Sequence, residues 1–323
     1  MANQVLEIVK RRHHAGSKPG HRDDGHKVAL AVEGGGLRGV IGGGALAALE
    51  ALGMKDCFDV VYGASSGAYS AAFFVSGNTL TGARFYLDYS QVQFIGIKRF
   101  LRGGPLFDLD YVARIMHTAT PLNYHNVLVS KTPLRPVATD AEHSRPMILK
   151  DFKSAVELDR ALQASSTLPP YPRPRALLFR HRHFVDAALA DPFCIHSAIA
   201  EKNTHIMVLF SLRWHKPKGM RLVDRKLVVP YLSKINPHLA QTYLRHGEYS
   251  VNGLNHVWNH YDGTHILAVQ PGKGIKLPHA LTRNRKKLGV GFLAGAEAVL
   301  HNFAPDEDTK SIILEDFKRE LDL

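Results

Sequence analysis

Two short glycine-rich stretches carry residue types that could do chemistry together. Gly63-Ala64-Ser65-Ser66-Gly67 is a G-x-S-x-G pattern between an apolar run, Asp59–Tyr62, and a second one, Ser66–Val75. Read as strand, turn and helix, this is the setting of a nucleophile turn. Small flanking residues permit a tight, strained bend that pushes a hydroxyl out of the sheet edge. Ser65 is centred between Gly63 and Gly67 and is the candidate nucleophile, while Ser66 could cap the helix. The second stretch, Glu33-Gly34-Gly35-Gly36-Leu37-Arg38-Gly39, directly follows the apolar run Val28–Val32. Consecutive glycines let a backbone approach a ligand closely and turn several N–H groups one way. The positive end of a following helix adds to this. Such a loop suits an anion, including a transient oxyanion.

Gly34, Gly36 and Gly39 also fit G-x-G-x-x-G, the dinucleotide fingerprint. That reading requires an acidic residue closing the second strand to hold a ribose. Here Asp56 and Asp59 precede that strand, and the serine turn closes it. A serine hydroxyl needs a base. The chain has 19 histidines, yet none lies in a catalytic sequence context. His181 and His183 share a strand face with each other but not with Asp186. No HExxH or Cys/His spacing points to a metal site.

The elements that must position these residues alternate. Val28–Val32 reads as a buried strand, Val40–Leu52 as a helix, Asp59–Tyr62 as a strand and Ser66–Val75 as a helix. Further strands are expected at Leu134–Ala138, Pro146–Leu149, Ala176–Phe179, His205–Phe210 and His265–Val269. Helices are expected at Ser154–Leu162, Pro237–His260, Gly291–Phe303 and Ile312–Leu321, with a basic loop at Trp214–Lys226. This order predicts an α/β fold with parallel strands and helical crossovers. Both glycine stretches then sit at one edge of the sheet, where such folds bind ligands. Residues 1–26 read as a mobile basic arm, 27–213 as the catalytic core and 214–323 as a C-terminal extension packed on the same domain.

At these residues the sequence resembles the patatin-like phospholipase family. That family joins D-G-G-G-x-R-G, G-x-S-x-G and D-G-G or D-G-A in this order. The chain has Glu33-Gly-Gly-Gly-Leu-Arg-Gly39, Gly63-Ala-Ser-Ser-Gly67 and Asp186-Ala187-Ala188. Ala164-Ser165-Ser166-Thr167-Leu168-Pro169 resembles the family's A-S-x-x-x-P segment. The likeness covers about residues 28 to 212. It implies a three-layer α/β/α patatin-like sandwich with a mostly parallel central sheet and a helical C-terminal extension. It also implies a Ser–Asp dyad, with Ser65 as nucleophile and Asp186 as base. Amides around Gly35, Gly36 and Leu37 would form the oxyanion hole, braced by Arg38, and no metal or organic cofactor would be needed. Two residues depart from the pattern. Glu33 stands for Asp, and Ala187 stands where the family has Gly. A positive φ at 187 would strain the loop there. Asp191 is the fallback carboxylate.

The expected activity is lipid acyl hydrolysis, as a phospholipase or carboxylesterase, through an acyl-serine. The alternatives are an impaired lipid- or protein-binding module and an acyltransferase using the same serine. A lipid ester or phospholipid is the expected substrate, and no nucleic acid partner is expected. The sequence does not disclose the oligomeric state. Formal charge is +12, from 41 Lys+Arg against 29 Asp+Glu. An anionic membrane surface is therefore a candidate partner, through Lys10–Arg12, Arg180–Arg182, Arg213–Arg221 and Arg283–Lys287. Cys57 and Cys194 read as two buried free thiols in a reducing compartment. The absence of a secretory segment or of about 18 consecutive apolar residues leads to an expected cytoplasmic location, peripheral at the membrane.

Overall fold

The computed structural model describes residues 3–213, 222–245 and 263–323. In chain order, helix α1 (Gln4–His14) precedes β1 (Val28–Val32), α2 (Val40–Ala51), β2 (Val60–Ala64) and α3 (Ser66–Ser76). A helical excursion follows: α4 (Thr79–Arg84), a π-helical stretch (Phe85–Phe94), α5 (Ile97–Leu101), α6 (Leu109–His117) and α7 (Tyr124–Val129). The chain then returns through β3 (Leu134–Asp140), β4 (Pro146–Ile148), α8 (Ala155–Ser165), β5 (Leu177–Phe179) and β6 (Arg182–Val185). Last come α9 (Ile195–Ala200), β7 (His205–Leu209), α10 (Leu222–Ile235), α11 (Pro237–Leu244), β8 (His265–Val269), α12 (Arg285–Phe303) and α13 (Glu307–Leu321).

The strands form one sheet in the order β5-β6-β3-β2-β1-β7-β8, with β4 also on β3. The five strands from β3 to β8 run parallel, and β4, β5 and β6 are antiparallel additions at one side. β1 is buried along its whole length, as its unbroken aliphatic run requires. Its Val28, Leu30 and Val32 face a core shared with α1, α2, α3 and α12. Its Ala29 and Ala31 face the opposite core, with Ile195 and Ala198 of α9. The result is the expected α/β/α sandwich with a mostly parallel sheet. The first crossover leads from β1 to β2 on one side, and β7 pairs on the other. The carboxyl end of β1 is therefore a topological switch point.

The C-terminal third contributes to this frame directly. β8 pairs with β7 along its full length, and α12 lies against α2. The approach is close enough that a Cβ on Gly44 would fall 1.9 Å from the Phe292 carbonyl oxygen.

Three expectations change. Residues 4–14 do not form part of a mobile arm: they make α1, whose Val5, Ile8 and Val9 are buried in the core beside β7 and β8. Asn3 caps it by accepting the Val5 N–H at 2.9 Å. Arg12 is buried in ion pairs with Asp24 and Asp59, so it does not belong to a docking cluster. Residues 222–226, read as loop, open α10, while the rest of that basic stretch and the end of the helix expected to reach His260 lie outside the described residues. Both cysteines are buried and free.

Candidate active site

Ser65 joins β2 to α3 with φ 51° and ψ −126°. A non-glycine residue rarely adopts this conformation, and surrounding structure must hold it there. The Ser65 N–H donates to Ser165 Oγ at 2.9 Å, and the Ser165 hydroxyl donates to the Val137 carbonyl in β3. The A-S-x-x-x-P segment thus acts as a brace under the turn. Sequence reading gave Ser165 no such part.

The Ser65 hydroxyl donates to Asp186 Oδ2 at 2.9 Å. These two residues, 121 positions apart, are brought into direct contact. The carboxylate is fixed from several sides. Its Oδ1 accepts the Ala188 N–H at 2.8 Å, and the Asp186 N–H donates to the Thr167 carbonyl at 2.8 Å. The Thr139 hydroxyl donates to the Asp186 carbonyl at 2.9 Å. Asp186 is only 5% exposed. Burial pushes its carboxyl up to about 6, against the lowering pull of the Ala188 amide and the Ser65 hydroxyl.

Ala187 does not distort this arrangement. It begins a short 3-10 turn, Ala187–Leu189, and is not among the residues with positive φ. Its methyl group is fully buried in the core under the sheet. Asp191, the fallback carboxylate, accepts the Ser197 N–H at 2.8 Å at the head of α9 and carries no hydrogen bond to Ser65. Ser66 Oγ is turned toward Gly39 and makes no cap. His181 and His183 are exposed on the β5–β6 hairpin.

The glycine loop lies directly against the serine turn. A Cβ on Gly67 would fall 2.4 Å from the Val32 carbonyl oxygen, and one on Gly34 would fall 2.5 Å from that of Ala64. Only residues without side chains permit the two backbones to meet in this way. Gly63 sits equally close to Ala68. Beyond Gly34, Gly35 and Gly36 turn through positive φ into the 3-10 turn Gly36–Gly39. One expectation fails here. The Leu37 N–H donates to the Ala280 carbonyl at 2.9 Å and is not turned to a reacting group. Among the described residues, no backbone acceptor takes the Gly35 or Gly36 N–H.

Arg38 and Glu33 are joined through Ser211. Glu33 accepts the Ser211 N–H at 2.7 Å and lies 3.6 Å from the Arg38 guanidinium. Arg38 Nε donates to Ser211 Oγ at 3.0 Å, and the Ser211 hydroxyl donates to the Gly34 carbonyl at 2.9 Å. Ser211 follows β7, so the loop after β1 is tied to the neighbouring strand. The longer Glu33 side chain therefore serves the loop's shape.

Ser65, Asp186 and the glycine loop open into one cavity of about 840 Å3. Its walls are mainly apolar, with Phe73, Phe85 and Phe94 from α3 and the π-helical stretch and Leu109, Val112 and Met116 from α6. A pocket of this size and character suits a large apolar ligand. His279 also lines it, a residue that the sequence gave no reason to select. Among the described residues, no helix is long and apolar enough to cross a membrane.

A solved structure of human GIVD cytosolic phospholipase A2, in complex with the inhibitor methyl gamma-linolenyl fluorophosphonate and terbium chloride, is 17% identical. The match covers 46% of this chain and 26% of that chain, with a TM-score of 0.26, so the aligned part is about a quarter of that protein. No curated protein matches the chain. A family model described as patatin-like phospholipase matches residues 30–199, over half of the 323 residues, and the chain belongs to that family.

Proposed function

We propose that the chain hydrolyses carboxylic esters of lipids through an acyl-Ser65 intermediate, with Asp186 as the base. The observation that carries this reading is the 2.9 Å hydrogen bond from the Ser65 hydroxyl to Asp186, made at a strained turn beside glycine-loop amides that no backbone carbonyl takes among the described residues.

Ser65 Oγ attacks the ester carbonyl carbon as its proton passes to Asp186 Oδ2. The carbonyl oxygen becomes an oxyanion, held by the Gly35 and Gly36 N–H groups. Collapse of the tetrahedral species breaks the ester C–O bond, and the proton on Asp186 moves to the departing alcohol. Water then repeats the sequence on the acyl-serine: Asp186 takes its proton, a carboxylic acid forms, and Ser65 regains its hydrogen. An ordinary Asp titrates near ~3.9 and is a poor base for a hydroxyl. Burial that lifts Asp186 to about 6 strengthens it as a base while leaving it ionised at neutral pH. This chemistry requires no metal and no organic cofactor.

In this reading residues 27–213 carry the chemistry and 214–323 extend the same domain. The apolar cavity supports a long acyl chain, and such esters reside at lipid surfaces, so the protein works peripherally on one. The test is labelling with a fluorophosphonate probe. Wild type is expected to label and Ser65→Ala not to; equal labelling of the two rules out Ser65 as the nucleophile.

A further inference from the structure

A lipid must reach Ser65 from a surface, and the cavity mouth has the chemistry of a surface contact. This inference rests on the ester-hydrolase reading above. Phe100 of α5, Leu227 of α10 and Leu281 ahead of α12 all line the cavity. Leu227 and Leu281 are also 39% and 48% exposed, so they form its rim. On α5, Ile97, Phe100 and Leu101 are spaced i, i+3 and i+4 and share one face. Ile97 is 63% exposed and Leu101 80%. Exposed aliphatic groups on the elements that bound a cavity are unfavourable in water and mark a contact surface where they gather.

The way α5 is held points in the same direction. This short helix buries none of its own residues. It is fixed instead through Arg99, whose guanidinium donates to the carbonyls of Pro105, Gln93 and Phe94 and lies 3.8 Å from Asp108. A polar clamp on one side leaves the apolar face outward beside the mouth. Cations flank every apolar rim position: Lys98 on α5 and Arg102 just after it, Lys226 beside Leu227, and Arg283 near Leu281, all exposed. The chain as a whole carries +12. Aliphatic side chains set among cations complement a layer that is acyl within and anionic at its face.

We infer that α5, the start of α10 and the Leu281 loop form a docking face that seats the cavity mouth on an anionic lipid surface, with Ile97 and Leu101 entering the acyl layer. A substrate then passes from the bilayer into the aromatic cavity without crossing water. The cationic arm of the interaction lies at this rim and not at Arg12, which is buried, nor at Arg180, which is held by Glu157 and by backbone carbonyls.

The test uses the full chain in vesicle flotation, with vesicles of phosphatidylcholine alone or mixed with phosphatidylglycerol. Turnover of a water-soluble short-chain ester is measured in parallel. Wild type is expected to float with the mixed vesicles, less with phosphatidylcholine alone, and less again in high salt. Ile97→Glu/Leu101→Glu should weaken flotation about tenfold or more, since two charges must be dragged into the acyl layer. Soluble-ester turnover and fluorophosphonate labelling should stay at the wild-type level. Lys98→Glu/Arg102→Glu is the second variant, expected to remove the preference for phosphatidylglycerol. Wild type that does not float, or both variants floating like wild type, overturns the docking face. If soluble-ester turnover is absent in wild type while flotation behaves as expected, the hydrolase reading fails and the docking face stands. Flotation unaffected by lipid charge combined with tight binding of an acidic protein at the same residues would assign the face to a protein partner and end the proposal.

Discussion

Ser165 Oγ accepts the N–H of Ser65 at 2.9 Å while its own hydrogen goes to the Val137 carbonyl of β3. A buried hydroxyl from the end of α8 thereby pins the strained turn between β2 and α3 to the neighbouring strand. Without it, the Ser65 N–H would be left buried and unpaired, at a cost of about 1–3 kcal/mol. Ser165→Ala is therefore expected to lower unfolding stability by that order. It should also reduce kcat about tenfold with little change in KM, because the hydroxyl that attacks is misplaced while the apolar cavity is untouched. Urea melts and initial rates on a soluble ester measure both. A variant with full kcat would mean that the turn keeps its shape unaided.

Asp186 gives the pH dependence. Its carboxyl is raised to about 6 by burial, and only the ionised form can take the Ser65 proton. Activity should rise with pH through about 6 and level off above it, and kcat/KM measured from pH 4 to 9 checks this. The stability effect has the opposite sense. A folded-state value above the unfolded one of ~3.9 means that the folded chain binds the proton more tightly, so stability falls as pH rises from about 4 to 6. The loss at pH 8 is about 3 kcal/mol. Asp186→Asn should be inactive yet more stable than wild type at pH 8, with the difference gone at pH 4. Equal denaturation midpoints at pH 8 would show that the ionised carboxylate is not costly where it lies.

Ala187 marks where sequence reading reached its limit. The family likeness suggested a glycine there, and a methyl group at positive φ would have bent the loop that carries Asp186. No local pattern discloses φ, and here the residue opens a 3-10 turn with its methyl in the core. Ala187→Gly is accordingly expected not to raise kcat/KM, and to cost about 1 kcal/mol through lost packing and added freedom of the unfolded chain. A large gain in activity would revive the idea of a damaged dyad. The contrast with Ser65 is physical. The nucleophile turn is a local affair of small residues between a strand and a helix, so the five residues Gly63 to Gly67 describe it. The partners of the site lie elsewhere in the chain: Ser165, Thr139, Thr167 and Ser211 reach it through side-chain and carbonyl bonds across 19 to 178 positions, and no local pattern discloses which group each one holds. The strands were readable for the same reason as the turn. A fully buried parallel strand needs an unbroken aliphatic run, and β1 carries one. Helices α4 and α5, which with α6 build part of the cavity wall, are too short to show a regular pattern, whereas α6 carries Leu109, Val112 and Met116 at helical spacing.

Helix α1 was hidden by its charges, although Asn3 followed by Val5, Ile8 and Val9 is a capped helix with one apolar face. What fixes it is Arg12. Its guanidinium has five N–H groups and makes five hydrogen bonds: two to Asp24, one to Asp59 and one each to the carbonyls of Cys57 and His26. Asp59 in turn accepts the Val28 N–H at the start of β1, so the network ties α1 to the sheet on the edge away from Ser65. Removing the cation leaves Asp59 with Arg22 as its remaining ion-pair partner among the described residues, and Asp24 with only the His26 N–H. Arg12→Ala should therefore cost about 3–5 kcal/mol of stability, as expected for breaking a buried pair from one side. The loss should be smaller at pH 3, where Asp24, held well below the usual carboxylate range by Arg12, no longer gains from that pairing in the variant and the unfolded chain is protonated. Fluorophosphonate labelling of Ser65, measured at a temperature where the variant remains folded, should match wild type, because no atom of the network touches the cavity. Thermal melts at pH 3 and pH 7 together with labelling rates decide the matter. A variant as stable as wild type at both pH values would show that α1 is not anchored through Arg12.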